Sequence, residues 1–138
     1  MGHKAFDRET FEAFKAMDRE GPIHMLNLVK LRAKAEYDDG REMSGKEAYA
    51  AYGKESAPVF QRLGGKIVWR GAQELVVIGP SEETWDLCFI AEYPNPQAFV
   101  DMLGDPEYRK AMPHRQAAVE DSRLIRMAPI PLGGNFGD

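Results

Sequence analysis

The residues of this chain best placed for chemistry are the neighbours His114 and Arg115. Tyr108, Met112, Arg115 and Val119 recur at spacings of three and four, so Arg115 falls on the stripe of a helix that would be buried. A guanidinium there needs a carboxylate, a carbonyl or a ligand, because an unpaired buried charge is very costly. Two arrangements satisfy it. In one, the pair forms an anion-binding or acid–base corner, with the imidazole titrating near neutral pH. In the other, Arg115 pairs structurally with Asp86, Glu92 or Asp121, and His114 bonds a backbone carbonyl that Pro113 frees one turn back. Asn27 interrupts an apolar run of strand length, where its amide must find partners in a ligand or a helix end. Trp69 and Arg70 alternate to opposite faces of a strand, so at most one of them shares a pocket with Asn27, and Trp69 serves as core or as ligand platform. Tyr49 and Tyr52 are helix neighbours. Gly53 and Ser56 beside them leave room for a cavity against a sheet, with Tyr49 read as core. Lys30 near a strand end is solvated or binds a carboxylate. The candidate pocket therefore comprises Asn27, Tyr52, Trp69 and Arg115 as ligand-binding residues and His114 as the catalytic acid or base.

Other chemistry finds no pattern. His3 lies in a terminus read as frayed, and His24 and His114 have no sequence-local His, Cys or carboxylate at ligand spacing, so no metal is expected. A haem would need His114 as its axial ligand and is not expected either, and the cofactor expectation is none. There is no G-x-G-x-x-G, Walker loop or G-x-S-x-G elbow. The single cysteine, Cys88, lies in an apolar stretch and reads as an inert core thiol. It excludes an internal disulfide and fits a reducing compartment. Eighteen basic against 22 acidic side chains give a net charge of −4, which argues against nucleic acid or anionic membrane as partner. No apolar run resembles a secretory signal or a membrane span, so the cytoplasm is the expected setting. With 138 residues, 43% hydrophobic and 29% charged, the chain is expected to form one domain over residues 1–138.

These side chains need elements to position them. From Trp85 to Tyr93 the odd positions are apolar or aromatic and the even ones are charged at both ends and apolar only in the middle, as a strand with one fully covered face should show. Asn95-Pro96 then caps and starts a helix. Ahead of it, Asp7 caps a helix over residues 7–19 with Phe11, Phe14 and Met17 as its stripe, and Gly21-Pro22 ends it. A strand covers residues 23–31 and a charged loop residues 32–43. Ser44 with Glu47 forms a capping box for a helix reaching about residue 63, with Pro58 expected to kink it. Gly64-Gly65 stops that helix before a long strand over residues 66–78, bulged at Gly71, which pairs as a hairpin with 85–93. A short helix over 96–103 precedes a second cap, Asp105-Pro106. The helix that follows carries Tyr108, Ala111, Met112, Arg115, Ala118, Val119 and Ser122 on one face, and a last strand spans 123–128. Residues 129–138 form a Gly-rich tail, read as mobile.

Strand-helix-strand-strand-helix-strand after a first helix is the α+β, ferredoxin-like split βαβ order, with residues 22–128 as its core. Helices cover one face of such a sheet. The other face would be bare, and the strands are apolar on both faces, as Leu26 and Leu28 against Met25 and Val29 show. The bare face asks for a partner, and a second copy of the chain is the simplest one.

Met25-Leu26-Asn27-Leu28-Val29-Lys30, the run from Leu63 to Gly71, Trp85-Asp86, Glu92-Tyr93-Pro94, Asp105-Pro106-Glu107-Tyr108, His114-Arg115 and the run from Asp121 to Ile125 resemble the domain of unknown function family 1330. The resemblance covers about residues 22 to 128. It implies the dimeric α+β barrel superfamily, in which two ferredoxin-like sheets pack face to face, and which includes cofactor-free monooxygenases, lactone isomerases, dehalogenase-like proteins and haem peroxidases. The family itself has no established reaction. The expectation is a homodimer through the sheet, with a pocket in each subunit for a small anionic or aromatic metabolite and cofactor-independent catalysis as an extension. The alternative is a non-catalytic binding or interaction module whose polar residues are structural. An open concavity where His114 and Arg115 converge favours the first; a filled core there favours the second.

Overall fold

The computed structural model describes residues 2–137. Its elements are α1 (Arg8–Ala16), β1 (Ile23–Leu31), α2 (Gly45–Arg62), β2 (Lys66–Gly71), β3 (Leu87–Tyr93), α3 (Pro96–Gly104), α4 (Pro106–Ala118) and β4 (Val119–Met127). The strands form one antiparallel sheet in the order β2-β3-β1-β4, which with its two helical crossovers is the ferredoxin-like arrangement. No helix among the described residues is long and apolar enough to cross a membrane.

Local chemistry sets the helix starts. Asp7 accepts the Thr10 N–H at 2.8 Å, Ser44 and Glu47 close the expected capping box, and Asn95 and Asp105 cap helices whose first residue is proline. Gly64, with φ +86°, ends α2 in the left-handed region that only glycine enters without strain. The helix runs through Pro58 to Arg62. α1 is shorter than the 7–19 expected, ending at Ala16.

Three boundaries differ from the sequence expectation for tertiary reasons. β2 stops at Gly71 rather than at residue 78, because the Gln73 side chain takes over the ladder: its amide accepts the Trp85 N–H at 2.8 Å and donates to the Glu83 carbonyl. The tight hairpin is therefore a long connection over 72–86 that leaves Leu75, Val77 and Ile78 exposed, and β3 begins at Leu87, not Trp85. The irregularity in β2 lies between Ile67 and Trp69 instead of at Gly71. At the other end, α4 stops at Ala118, four residues short of the periodic stripe, because Val119 pairs with Leu31 and the chain from there joins β1. Pairing in the sheet overrides a helical pattern, as tertiary context does to propensity.

Register decides which side chains face the helices. Ile23 and Met25 of β1 and Ala91 and Tyr93 of β3 are buried with Val59, Ala98, Phe99, Met102 and Tyr108 in the main core. By alternation Asn27 shares that face with its partners Phe89 and Leu124. The opposite face carries His24, Leu26, Leu28 and Lys30 with Ile90, Glu92, Ile125 and Met127 opposite them. Cys88, paired with Leu28, belongs to this uncovered face and not to the helix-side core. Burial still pushes its thiol up.

Candidate functional site

Between the helices and the sheet lies a cavity of about 1130 Å³. β1 and β3 supply its floor through Met25, Asn27, Phe89 and Ala91, and α2 supplies Tyr49, Tyr52, Ser56 and Phe60. α4 contributes Tyr108, Met112 and Arg115, three positions at spacings of four and three that fall on one helix face. The segment from His3 to Met17 lines a further side, and the cavity stays partly open to solvent. Among the described residues the lining includes Lys4, Lys66, Arg115, Arg123 and Arg126 but no aspartate or glutamate.

Arg115 is half-buried and donates from Nη1 to the Lys4 carbonyl at 2.6 Å. The carboxylates proposed as its structural partners are engaged elsewhere. Asp86 accepts the Leu31 N–H, Glu92 binds His24 and Lys66, and Asp121 takes the His3 N–H and Arg123. Of the other lining cations, Lys66 is tied to Glu92, Arg123 to Asp121, and Arg126 to the Phe14 and Met17 carbonyls. Arg115 is thus a cation facing a cavity with no carboxylate on it.

Phenols surround it. The Tyr52 and Tyr108 hydroxyls are 2.8 Å apart, and the Tyr49 and Tyr52 rings lie 5.3 Å apart. Burial pushes the Tyr49 phenol up to about 12 against the pull of the Arg115 charge, and it raises Tyr52 and Tyr93 as well. At neutral pH these groups stay protonated and act as donors. Asn27, half-buried on the floor, spends one N–H on the Met25 carbonyl at 3.0 Å. A guanidinium, phenol donors and an amide in an apolar enclosure can hold a carboxylate, or stabilise an enolate or phenolate oxygen, while the aromatic walls take an apolar body.

The raised phenols carry a sign. Their contribution to stability is complete below the unfolded-chain value near 10 and is lost as pH rises through the folded values, about 12 for Tyr49. Tyr49→Phe is expected to flatten the alkaline limb of a stability–pH curve. An alkaline limb identical to wild type contradicts the burial of that hydroxyl.

Of the residues singled out from sequence, the structure brings together Asn27, Tyr52 and Arg115. Trp69 pairs with Ile90 on the uncovered face and is 50% exposed, so it does not line the cavity. Lys30 lies opposite Asp121 on that face too. His114 is turned away from the cavity, about 100° around α4 from Arg115. Its Nε2 lies 2.8 Å from Glu55 and its Nδ1 2.6 Å from the Tyr37 hydroxyl. With Nε2–H donating to Glu55, Nδ1 accepts from Tyr37, and the chain of bonds ties the 32–43 segment to the two long helices. A separate polar depression of about 340 Å³ opens there, lined by Arg32, Tyr37 and Arg41 among others. Arg32 and Arg41 are already paired with Glu36 and Asp39. Among the described residues no three His, Cys, Asp or Glu side chains group to hold a metal ion.

The sequence reading missed Phe89, Phe99, Phe14 and Tyr108 as cavity walls; Tyr49, read as core, packs against the cluster of Ala35, Ala48, Ala117 and Ala118 and also borders the cavity. The odd-position register that places Asn27 inward also places Phe89 there. No local signal announces that the N-terminal segment lines the cavity.

Comparison with known proteins bears on the fold and on kinship. A family model described as "Domain of unknown function (DUF1330)" matches residues 41–128. No curated protein matches the chain. Two crystal structures of the RPA0582 protein are similar over nearly the whole chain. The methylated protein is 63% identical over 96% of this chain and 98% of its own, with a TM-score of 0.94. The other structure, of a protein of unknown function from Rhodopseudomonas palustris, is 61% identical over 96% of this chain and 100% of its own, with a TM-score of 0.93. SnoaB, a cofactor-independent oxygenase from Streptomyces nogalater, is 13% identical over 83% of this chain and 99% of its own at a TM-score of 0.54, a likeness of fold alone.

Proposed function

The chain belongs to the DUF1330 family, and from that premise we propose that it acts as a single domain binding a small organic anion in the cavity between helices and sheet. Arg115 takes the anionic group, Asn27 and Tyr52 orient it, and the aromatic walls hold an apolar body. The observation that carries this reading is charge: in a chain of net −4 the cavity lining holds basic side chains and, among the described residues, no carboxylate. A closed interaction module has no use for an unfilled space of about 1130 Å³ beside such a cation. His114 stands outside the cavity, so no acid–base step on a bound ligand is assigned to it, and the reading is binding first. Catalysis without a cofactor would have to work through Arg115 and the phenols as stabilisers of developing negative charge.

A thermal-shift panel tests this. Benzoate, 1-naphthoate and decanoate are expected to raise the melting temperature, since a ligand at a hundred times its Kd adds about 2.7 kcal/mol. Their neutral alcohol counterparts should raise it far less. Equal shifts for acids and alcohols, or none for any acid, contradict the anion site.

The same reading includes a homodimer. Leu26, Leu28, Ile90 and Ile125 make an apolar centre on the uncovered face, beside a half-exposed Trp69. A second copy is the self-complementary cover for it. Light scattering at micromolar concentration should give twice the mass of one 138-residue chain. A clean monomer contradicts the dimer and returns Trp69 to solvent.

A further inference from the structure

The segment ahead of β1 is unusual in how it is held. α1 buries none of its residues. It leans on the cavity wall through aromatic rings: Phe14 lies 4.9 Å and Phe6 6.4 Å from Phe99, and Phe6 stacks on Phe11 at 5.7 Å. Its polar ties fall at three places. At the start, the Ser122 hydroxyl donates to the His3 carbonyl at 2.6 Å and the His3 N–H donates to Asp121 at 2.8 Å. At the end, Arg126 donates to the carbonyls of Phe14 and Met17. Between them, the tie is Arg115 to the Lys4 carbonyl. Arg115, which bonds no carboxylate, is therefore occupied by a neutral carbonyl of the segment that lines this side of the cavity.

We infer that residues 3–17 are a lid over this cavity and that Arg115 is its latch, exchanging the Lys4 carbonyl for the carboxylate of an aromatic or long-chain acid. The inference rests on Arg115 as the anion site proposed above and adds what its occupation does. A carboxylate offers the guanidinium an opposite charge and can accept two of its N–H groups at once, where the neutral Lys4 carbonyl accepts one, so an acid displaces Lys4 and a neutral analogue does not. The ties at His3 and at Phe14 and Met17 do not involve Arg115, so the released stretch between them bows outward while both ends stay attached. Phe6 and Phe14 face the entering ligand, which selects acids with an apolar body over small hydrophilic ones. Surface loops that open locally are drawn from segments with few buried contacts, and this one fits.

Hydrogen exchange on the full chain reads the latch directly. With 1-naphthoate, exchange over residues 3–17 is expected to quicken about tenfold or more, as loss of one hydrogen bond to a charged group would give. The neutral 1-naphthalenemethanol should leave it unchanged. In Arg115→Met the same residues should exchange at the faster rate without ligand, and 1-naphthoate should add nothing. Phe6→Ala, at a position 42% exposed, tests the lid without touching the guanidinium and should also quicken exchange there. If 1-naphthoate raises the melting temperature but exchange over 3–17 is unchanged or slower, the latch is overturned while the anion site stands. If 1-naphthoate does not bind at all, both fall. Unchanged exchange in Arg115→Met overturns the latch, and unchanged exchange in Phe6→Ala overturns the lid.

Discussion

Phe99→Ala is expected to lower the unfolding free energy by about 3–5 kcal/mol, the range for truncating a buried phenylalanine. Phe99 is 5% exposed and its ring meets those of Tyr93, Phe14 and Phe6. It joins α3 to β3 on one side and to the N-terminal segment on the other. Truncation opens its space into the existing cavity, where neighbours cannot collapse without moving a helix. Urea denaturation measures the effect as a lower midpoint at unchanged slope. A loss under about 1 kcal/mol would mean that the ring is not the packing hub its contacts make it.

Arg115→Met has its largest effect on binding. A carboxylate partner inside the protein would be stranded by this change at a cost of about 3–5 kcal/mol. Asp86, Glu92 and Asp121 are all engaged elsewhere, and the bond given up is to a backbone carbonyl. The expected loss of stability is therefore about 1.5 kcal/mol, the lower end for a hydrogen bond with one charged partner. Affinity for apolar carboxylates should fall on the order of 10- to 100-fold, the worth of hydrogen bonds to a charged group. Calorimetric titration and thermal melts on the same variant separate the two quantities. A large destabilisation with no change in carboxylate affinity would make Arg115 a structural residue.

Much of the fold is legible in the sequence because its punctuation is local. Asp7, Ser44 with Glu47, Asn95-Pro96 and Asp105-Pro106 start helices where the structure starts them, for reasons contained within one helical turn. The boundaries that moved depend on distant chain. Val119 continues a helical stripe in sequence but pairs with Leu31, and residues 72–78 read as strand but lose their ladder to the Gln73 side chain. The site is legible to the same extent. Period-two alternation puts Asn27 on the helix side, and period-3.6 spacing puts Tyr108, Met112 and Arg115 on one face. The face of Trp69 depends on the irregularity between Ile67 and Trp69, which inverts side-chain direction beyond it and which no residue type there announces. His114 adjoins Arg115 in sequence, yet one residue of helix turns it from the cavity toward Glu55 and Tyr37. The lining of the cavity by residues 3–17 arises from contacts to Arg115, Ser122 and Arg126, more than a hundred residues away.

Whether the cavity is an anion site is decided most directly by a crystal structure grown with saturating 1-naphthoate. The carboxylate is expected within hydrogen-bond distance of the Arg115 guanidinium in place of the Lys4 carbonyl, with the rings against Phe89 and Phe99. Density for the acid elsewhere, such as the depression beside Tyr37 and Arg41, or a cavity left without it while Arg115 still holds Lys4, would contradict the proposal.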